Sequence, residues 1–195
     1  MPGVERLMLD RIGGEVARAT SIVRYGPGSR FSAHVHGGGE EFLVLEGNFS
    51  DDSGDYGAGC YVRNPVGSHH APWSEAGAIL FVKLCQMDPA DRAFLSIDTT
   101  AAAWLDGPAP EIGVLPLHRH GGEFVRLLAF DPGAALTERA CPGGAELLVL
   151  EGAVETPLAP LRERDWLRLP PGAALALSSV HGGRIYLKTG HLAAP

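Results

Sequence analysis

Positive charge is scarce in this chain and never gathers into a block. Lys and Arg total 16 against 23 Asp and Glu, for a formal net charge of −7. Without a basic stripe to neutralise phosphates, no nucleic-acid partner is expected. Long apolar runs are missing as well. Nothing approaches the ~20 residues that a membrane-spanning helix needs, so no membrane partner is expected. The opening stretch Met-Pro-Gly-Val-Glu-Arg-Leu-Met-Leu-Asp holds acids and no apolar core, and does not read as a signal peptide. Cysteine is sparse: Cys60, Cys85 and Cys141 form an odd, widely spaced set with no Cys-x-x-Cys pair. They read as free thiols in a reducing cytoplasm.

What the chain has in quantity is turn formers. Its 26 glycines and 15 prolines are spread along 195 residues that are 45% hydrophobic and 20% charged. That composition suits a soluble protein of short strands between many turns rather than long helices. The length allows one large or two small domains.

Chemistry concentrates between Gly28 and His70. His34 and His36 stand two apart, and side chains two apart on a strand share a face. Gly37-Gly38-Gly39 reads as a tight turn, so a hairpin would carry Glu40 back beside the two histidines. His70 would arrive on a later strand after the turn Asn64-Pro65-Val66-Gly67, with His69 facing the other way. Three imidazoles and a carboxylate make a borderline donor set that suits Zn, Fe(II), Ni, Cu or Mn. Other features carry less. Asp51-Asp52-Ser53-Gly54-Asp55 has acids but no calcium-loop pattern and reads as a solvated turn. His118-Arg119-His120 lacks a partner carboxylate or third ligand, and His181 and His191 have no metal context. Trp73, Trp104 and Trp166 read as core or barrel-mouth residues.

These residues resemble a known family. Gly28, His34, His36, Glu40 and Gly47 stand at the spacing of the first cupin motif, and Gly59, Pro65, Gly67 and His70 at that of the second, with Ser74 where an Asn is usual. Within cupins, His-Gly-Gly-Gly-Glu-Glu-Phe-Leu-Val-Leu-Glu-Gly and Tyr-Val-Arg-Asn-Pro-Val-Gly-Ser-His-His-Ala-Pro look most like the ChrR-type cupin domain. The resemblance implies that His34, His36, Glu40 and His70 are the ligands of one divalent transition metal: Zn, Fe(II), Ni or Mn.

The pattern then returns. A shift of 105 positions aligns the halves without a gap as far as Lys83 with Lys188, pairing Arg63 with Arg168, Pro65 with Pro170 and Gly67 with Gly172. The chain is an internal duplication. The same shift turns His34 into Arg139, His36 into Cys141, Glu40 into Ala145 and His70 into Leu175. The second copy is therefore expected to be metal-free, with Cys141 a buried thiol. Glu41, matched by Glu146, is assigned a structural role facing away from the site.

The expected architecture is all-β: two tandem cupin jelly-roll barrels, a bicupin, with helix only in short pieces. The expected domains are 1–98 with the metal site, a crossing segment at 99–110, and a degenerate barrel at 111–195. Open sheet edges are expected to exchange between barrels or across a homodimer. The resemblance implies a metal-dependent enzyme or a sensor for a small organic molecule. Similar cupins are dioxygenases that cleave acetylacetone and related ketones on a three-histidine iron, whereas here Glu40 joins as a fourth ligand. ChrR-type proteins are anti-sigma factors with a separate zinc-binding helical domain; no His-x-x-x-Cys-x-x-Cys occurs here, so a stand-alone sensing module is the expected regulatory form. A metal that merely braces the barrel is the third reading.

Overall fold

The computed structural model describes residues 3–14, 16–138 and 140–192. Every helix or strand among them is a strand, and none of the expected short helices is present there. Among the described residues no helix is long and apolar enough to cross a membrane. The chain divides between Ala101 and Ala102, within the segment 99–110, into two units.

The first unit contains β1 (Val4–Ile12), β2 (Arg18–Tyr25), β3 (Ser29–Arg30), β4 (His34–Val35), β5 (Glu40–Asp51), β6 (Gly54–Gly57), β7 (Cys60–Asn64), β8 (His69–His70), β9 (Trp73–Ser74), β10 (Ala78–Leu84) and β11 (Leu95–Asp98). Its main sheet runs β1-β2-β10-β5-β7-β11, all antiparallel, while β6 and β9 pair with β5 and the short pair β4·β8 stands apart. Alternation along these strands sends Val23, Phe42, Val44, Val62 and Leu80 inward, each no more than 2% exposed. Fully burying one such side chain contributes about 1.5–3 kcal/mol. Phe42, Phe49 and Tyr56 meet edge to face, with Phe49 centroids 5.1 Å from Phe42 and 5.0 Å from Tyr25. This aromatic layer reaches the functional residues, since Phe49 lies 6.4 Å from the His70 ring.

Alternation also separates adjacent acids. Glu41, next to Glu40 on β5, is 2% exposed and accepts from Tyr61 Oη at 2.8 Å and Arg63 Nη1 at 2.9 Å. Arg63 Nη2 donates to Asp91 at 2.6 Å. Removing one partner from such a buried ionic cluster typically costs about 3–5 kcal/mol, because a charge is left uncompensated.

The second unit contains β12 (Leu105–Asp106), β13 (Ile112–His120), β14 (Glu123–Phe130), β15 (Ala135–Glu138), β16 (Ala145–Glu155), β17 (Pro160–Arg162), β18 (Trp166–Leu169), β19 (Leu175–Ser178) and β20 (Gly183–Thr189). Its sheet order is β12-β13-β14-β20-β16-β19-β15, with β17 and β18 also on β16. The duplication is visible in the register: Val23 pairs with Leu80 in the first unit, and Leu128 with Ile185 in the second. The edge strands do not exchange between units. Among the described residues β1 lies on β2, β11 on β7 and β12 on β13, so each of these outer strands pairs inside its own unit.

Candidate metal centre

The backbone gathers the histidines differently from the expected hairpin. The turn after His36 forms, closed by Gly39 N–H on the His36 carbonyl at 3.2 Å. Yet β4 pairs with β8 rather than β5, setting His34 directly opposite His70. His36 is held by the loop before β8, donating its amide to Ser68 O at 2.8 Å and accepting from Gly67 N at 2.9 Å. The three rings stand edge to face, with centroids 4.9, 4.9 and 4.6 Å apart. One nitrogen from each of His34, His36 and His70 fits within 4.8 Å of the others, the only such group of three or more His, Cys, Asp or Glu side chains among the described residues. Glu40 reaches two of the three: its Oε2 is 3.5 Å from His36 Nε2 and 3.6 Å from His70 Nε2. As strand alternation requires, Val35 and His69 point outward while His36 and His70 are buried.

Hydrogen bonds fix where the protons sit. His34 Nδ1 lies 2.9 Å from the Ser32 carbonyl and His70 Nδ1 2.8 Å from Asp51 Oδ2. Neither oxygen has a proton to give, so both imidazoles donate from Nδ1, the tautomer whose neutral form leaves Nε2 bare. His36 Nε2 is buried without any hydrogen-bond partner, a costly arrangement that a cation between the rings would relieve. Burial, then the neighbouring His70 and His34, push the His36 pKa down to about 4, which keeps it a neutral donor. Burial pushes the Glu40 carboxyl up, opposed by His70 and by the hydrogen bond from Asn64 Nδ2 at 3.3 Å. Bare imidazole nitrogens, one of them orphaned, with a carboxylate alongside fit a borderline divalent cation.

The cluster is reached through a cavity of about 290 Å³, lined also by Arg6, Arg11, Tyr25, Phe31 and Cys85. Arg6 and Arg11 come from β1. The Tyr25 phenol is pushed up by burial and by the Glu40 carboxylate, with Arg6 opposing, so it keeps its proton. Ser74, which stands in place of the usual Asn, is fully buried and donates to the Asn48 carbonyl at 2.6 Å.

The turn at 51–55 is not merely solvated. Asp51 is 5% exposed and faces His70. Its strand position held the signal, since it ends β5 two residues beyond the inward Phe49. In the second unit Cys141, Ala145 and Leu175 are each at most 3% exposed in an apolar core with Leu147 and Leu187. Arg139, the counterpart of His34, lies outside the described residues. The backbone that frames the site recurs there: Cys141 N donates to Ala173 O at 2.9 Å and Gly172 N to Cys141 O at 2.8 Å. His118 and His120 lie on β13 and join no such cluster. His191, which no motif flags, pairs its Nε2 with Glu146 Oε2 at 2.8 Å.

Solved structures share this architecture. A candidate dioxygenase of Nostoc punctiforme PCC 73102 superposes with a TM-score of 0.81 at 16% identity, over 95% of this chain and 73% of that one. The bacterial pirin YhhW of Escherichia coli, in complex with nickel(II), gives 0.72 at 13% identity over 97% and 92%. A variant of salicylate 1,2-dioxygenase from Pseudoaminobacter salicylatoxidans gives 0.73 at 15% identity over 95% and 75%. At these identities the likeness shows the fold, two tandem cupin barrels. No sequence among curated proteins matches. The sequence pattern of the ChrR cupin-like domain fits residues 1–88 and again 92–193, so two matches to one domain type account for nearly the whole chain, and the protein belongs to the ChrR cupin-like family.

Proposed function

We propose that the first unit holds one divalent transition metal on His34, His36, Glu40 and His70 and uses it to oxidise a small organic anion in a dioxygenase-type reaction. The observation that carries this reading is the cavity of about 290 Å³ that opens onto the ligand side chains, because a purely structural metal site is closed by protein on all sides. The names of two similar structures, a candidate dioxygenase and a salicylate 1,2-dioxygenase, support the reaction class. His34, His36, Glu40 and His70 would hold the metal, and a bound Fe(II), Mn or Ni would supply Lewis acidity and oxygen activation.

The chain's own residues would do the rest. Arg6 and Arg11 supply positive charge to a cavity in an otherwise acidic protein, which suits a carboxylate or enolate oxygen. Tyr25, still protonated, offers a hydrogen-bond donor to the same molecule. Phe31, 5.7 Å from the His34 ring, provides an apolar wall. The test is oxygen consumption by protein loaded separately with Fe(II), Mn(II), Ni(II) and Zn(II), offered β-dicarbonyls and small aromatic carboxylates. Uptake with a redox-active metal, absent in His36→Ala and weakened through KM in Arg6→Ala, is expected. Tightly held zinc that binds the same molecules without oxygen uptake would assign the site to sensing instead.

A further inference from the structure

Asp51 is not among the candidate metal ligands, yet its two oxygens do different work. Oδ1 caps the turn that follows β5, accepting from Ser53 N at 2.7 Å, Gly54 N at 3.2 Å and Tyr56 Oη at 3.0 Å. Oδ2 accepts from His70 Nδ1 at 2.8 Å. Both residues are buried, Asp51 at 5% and His70 at 4% exposure. We propose that Asp51 is a positioning residue of the metal centre: its Oδ2 locks His70 in the tautomer that aims a bare Nε2 at the metal, and Tyr56 holds the carboxylate in place. This rests on the metal-site reading given above.

The competing explanation is that Asp51 serves only the turn, and the second unit tests it. There the counterpart is Thr156, and its single Oγ1 accepts from Leu158 N and Ala159 N, both at 3.1 Å, at the same two positions along the chain. The strand pairing is the same too, Phe49 with Tyr56 in one unit and Val154 with Leu161 in the other. One oxygen is therefore enough to cap this turn. What the second unit lacks is the second oxygen, and with it go both partners: Tyr56 becomes Leu161 and His70 becomes Leu175. Asp51, Tyr56 and His70 are absent together from the copy without the histidine cluster. A carboxylate on the far nitrogen of a ligating imidazole fixes the ring and raises its basicity, and its loss typically weakens metal affinity 10–100-fold.

The tautomer can be read without any metal. In long-range proton–nitrogen spectra of labelled, chelator-treated protein, taken above the histidine titration range, His70 should carry its proton on Nδ1. Asp51→Asn keeps the turn cap through its carbonyl oxygen but faces His70 with an amide N–H. His70 Nδ1 must then accept, moving the proton to Nε2, where it opposes a metal. Asp51→Thr, using the second unit's own residue, keeps the cap and removes only the second oxygen. Both variants should still fold without metal, melting somewhat lower because the buried His70 loses its carboxylate partner, and bind Ni(II) 10–100-fold more weakly in chelator competition, the range such partners usually show. Wild-type His70 protonated on Nε2 overturns the proposal even if neither variant folds. So does unchanged Ni(II) affinity in variants that fold. If wild type holds no Ni(II) while His70 shows the Nδ1 proton, the positioning stands and the metal-site reading falls.

Discussion

An imidazole must place two nitrogens, and in the first unit the outer partners of His34 and His70 take Nδ1 and leave Nε2 to face the cluster, while His36 Nε2 has no hydrogen-bond partner. In the second unit the same frame is filled by Cys141, Ala145 and Leu175, buried in an apolar core. That contrast sets a prediction at the residue scale. Leu175 is 1% exposed, so Leu175→Ala removes buried methyl groups and leaves a cavity, costing about 2–5 kcal/mol by denaturant unfolding. Metal content, measured by elemental analysis of the same preparation, should not change. Loss of metal alongside stability would mean that the two halves are not separate in function. The four proposed ligands were legible because motif spacing on strands carries them. Asp51, Asn64, Tyr25 and Arg6 were not, because their roles arise from strands brought together by pairing: Asp51 meets His70 across 19 positions, and Asn64 meets Glu40 across 24. The polar cluster at 51–55 looked like a solvated turn since composition cannot say which of its acids faces inward.

At the scale of elements, β5 organises the first unit. It carries Glu40 at one end and Asp51 at the other, and pairs with β10, β7, β6 and β9. Its path bends at a bulge at Leu45, opposite Ile79 and Leu80; two residues on, opposite Ala78, Gly47 has φ of 74° and a Cβ would sit 2.1 Å from the Gly77 carbonyl oxygen. β16 repeats the device at Gly152, with φ of 70° and 2.5 Å to Gly182 O. A side chain at either position is both strained and clashing. Gly47→Ala and Gly152→Ala should each lower stability by about 1–3 kcal/mol in thermal melts. Only Gly47→Ala should also weaken Ni(II) binding, because it displaces the strand that carries Glu40. Equal loss of metal in both variants would contradict that assignment. The inner strands β2, β5, β7 and β10 were readable from their apolar residues to within three residues at each end. β1 and β11 were not recognised in full: β1 exposes most of its side chains and shows little alternation, and β11 alternates over only the four residues Leu95–Asp98. β1 and β13 also fall out of the 105-residue repeat: their bulges, Met8/Asp10 and Pro116/His118, match at a shift of 108, since the turn after β1 is three residues longer than the turn after β13. His118-Arg119-His120 is therefore the copy of Asp10-Arg11-Ile12, so this second His-x-His is not the counterpart of His34 and His36.

For the whole molecule, the duplication fixes a stoichiometry. Two units share backbone hydrogen bonds, bulges and register, yet only the first gathers several donor side chains at the counterpart positions described in both; in the second, Cys141 stands with Ala145 and Leu175. A barrel that folds around Cys141, Ala145 and Leu175 shows that the frame does not need a cation, so keeping three histidines and a glutamate in the other barrel costs polar burial with no structural return unless something binds them. Untagged protein stripped with chelator and reloaded should therefore hold one equivalent of divalent metal per chain. His36→Ala should hold none, and Cys141→Ala should still hold one. Cys141→His should also stay at one, because Ala145 and Leu175 leave that imidazole without a companion ligand. Elemental analysis of the four proteins side by side decides the matter. Two equivalents in wild type would place a second site away from the histidine cluster and break the division between the halves, whereas none would leave the orphaned His36 nitrogen without its relief and remove the basis for metal chemistry in this chain.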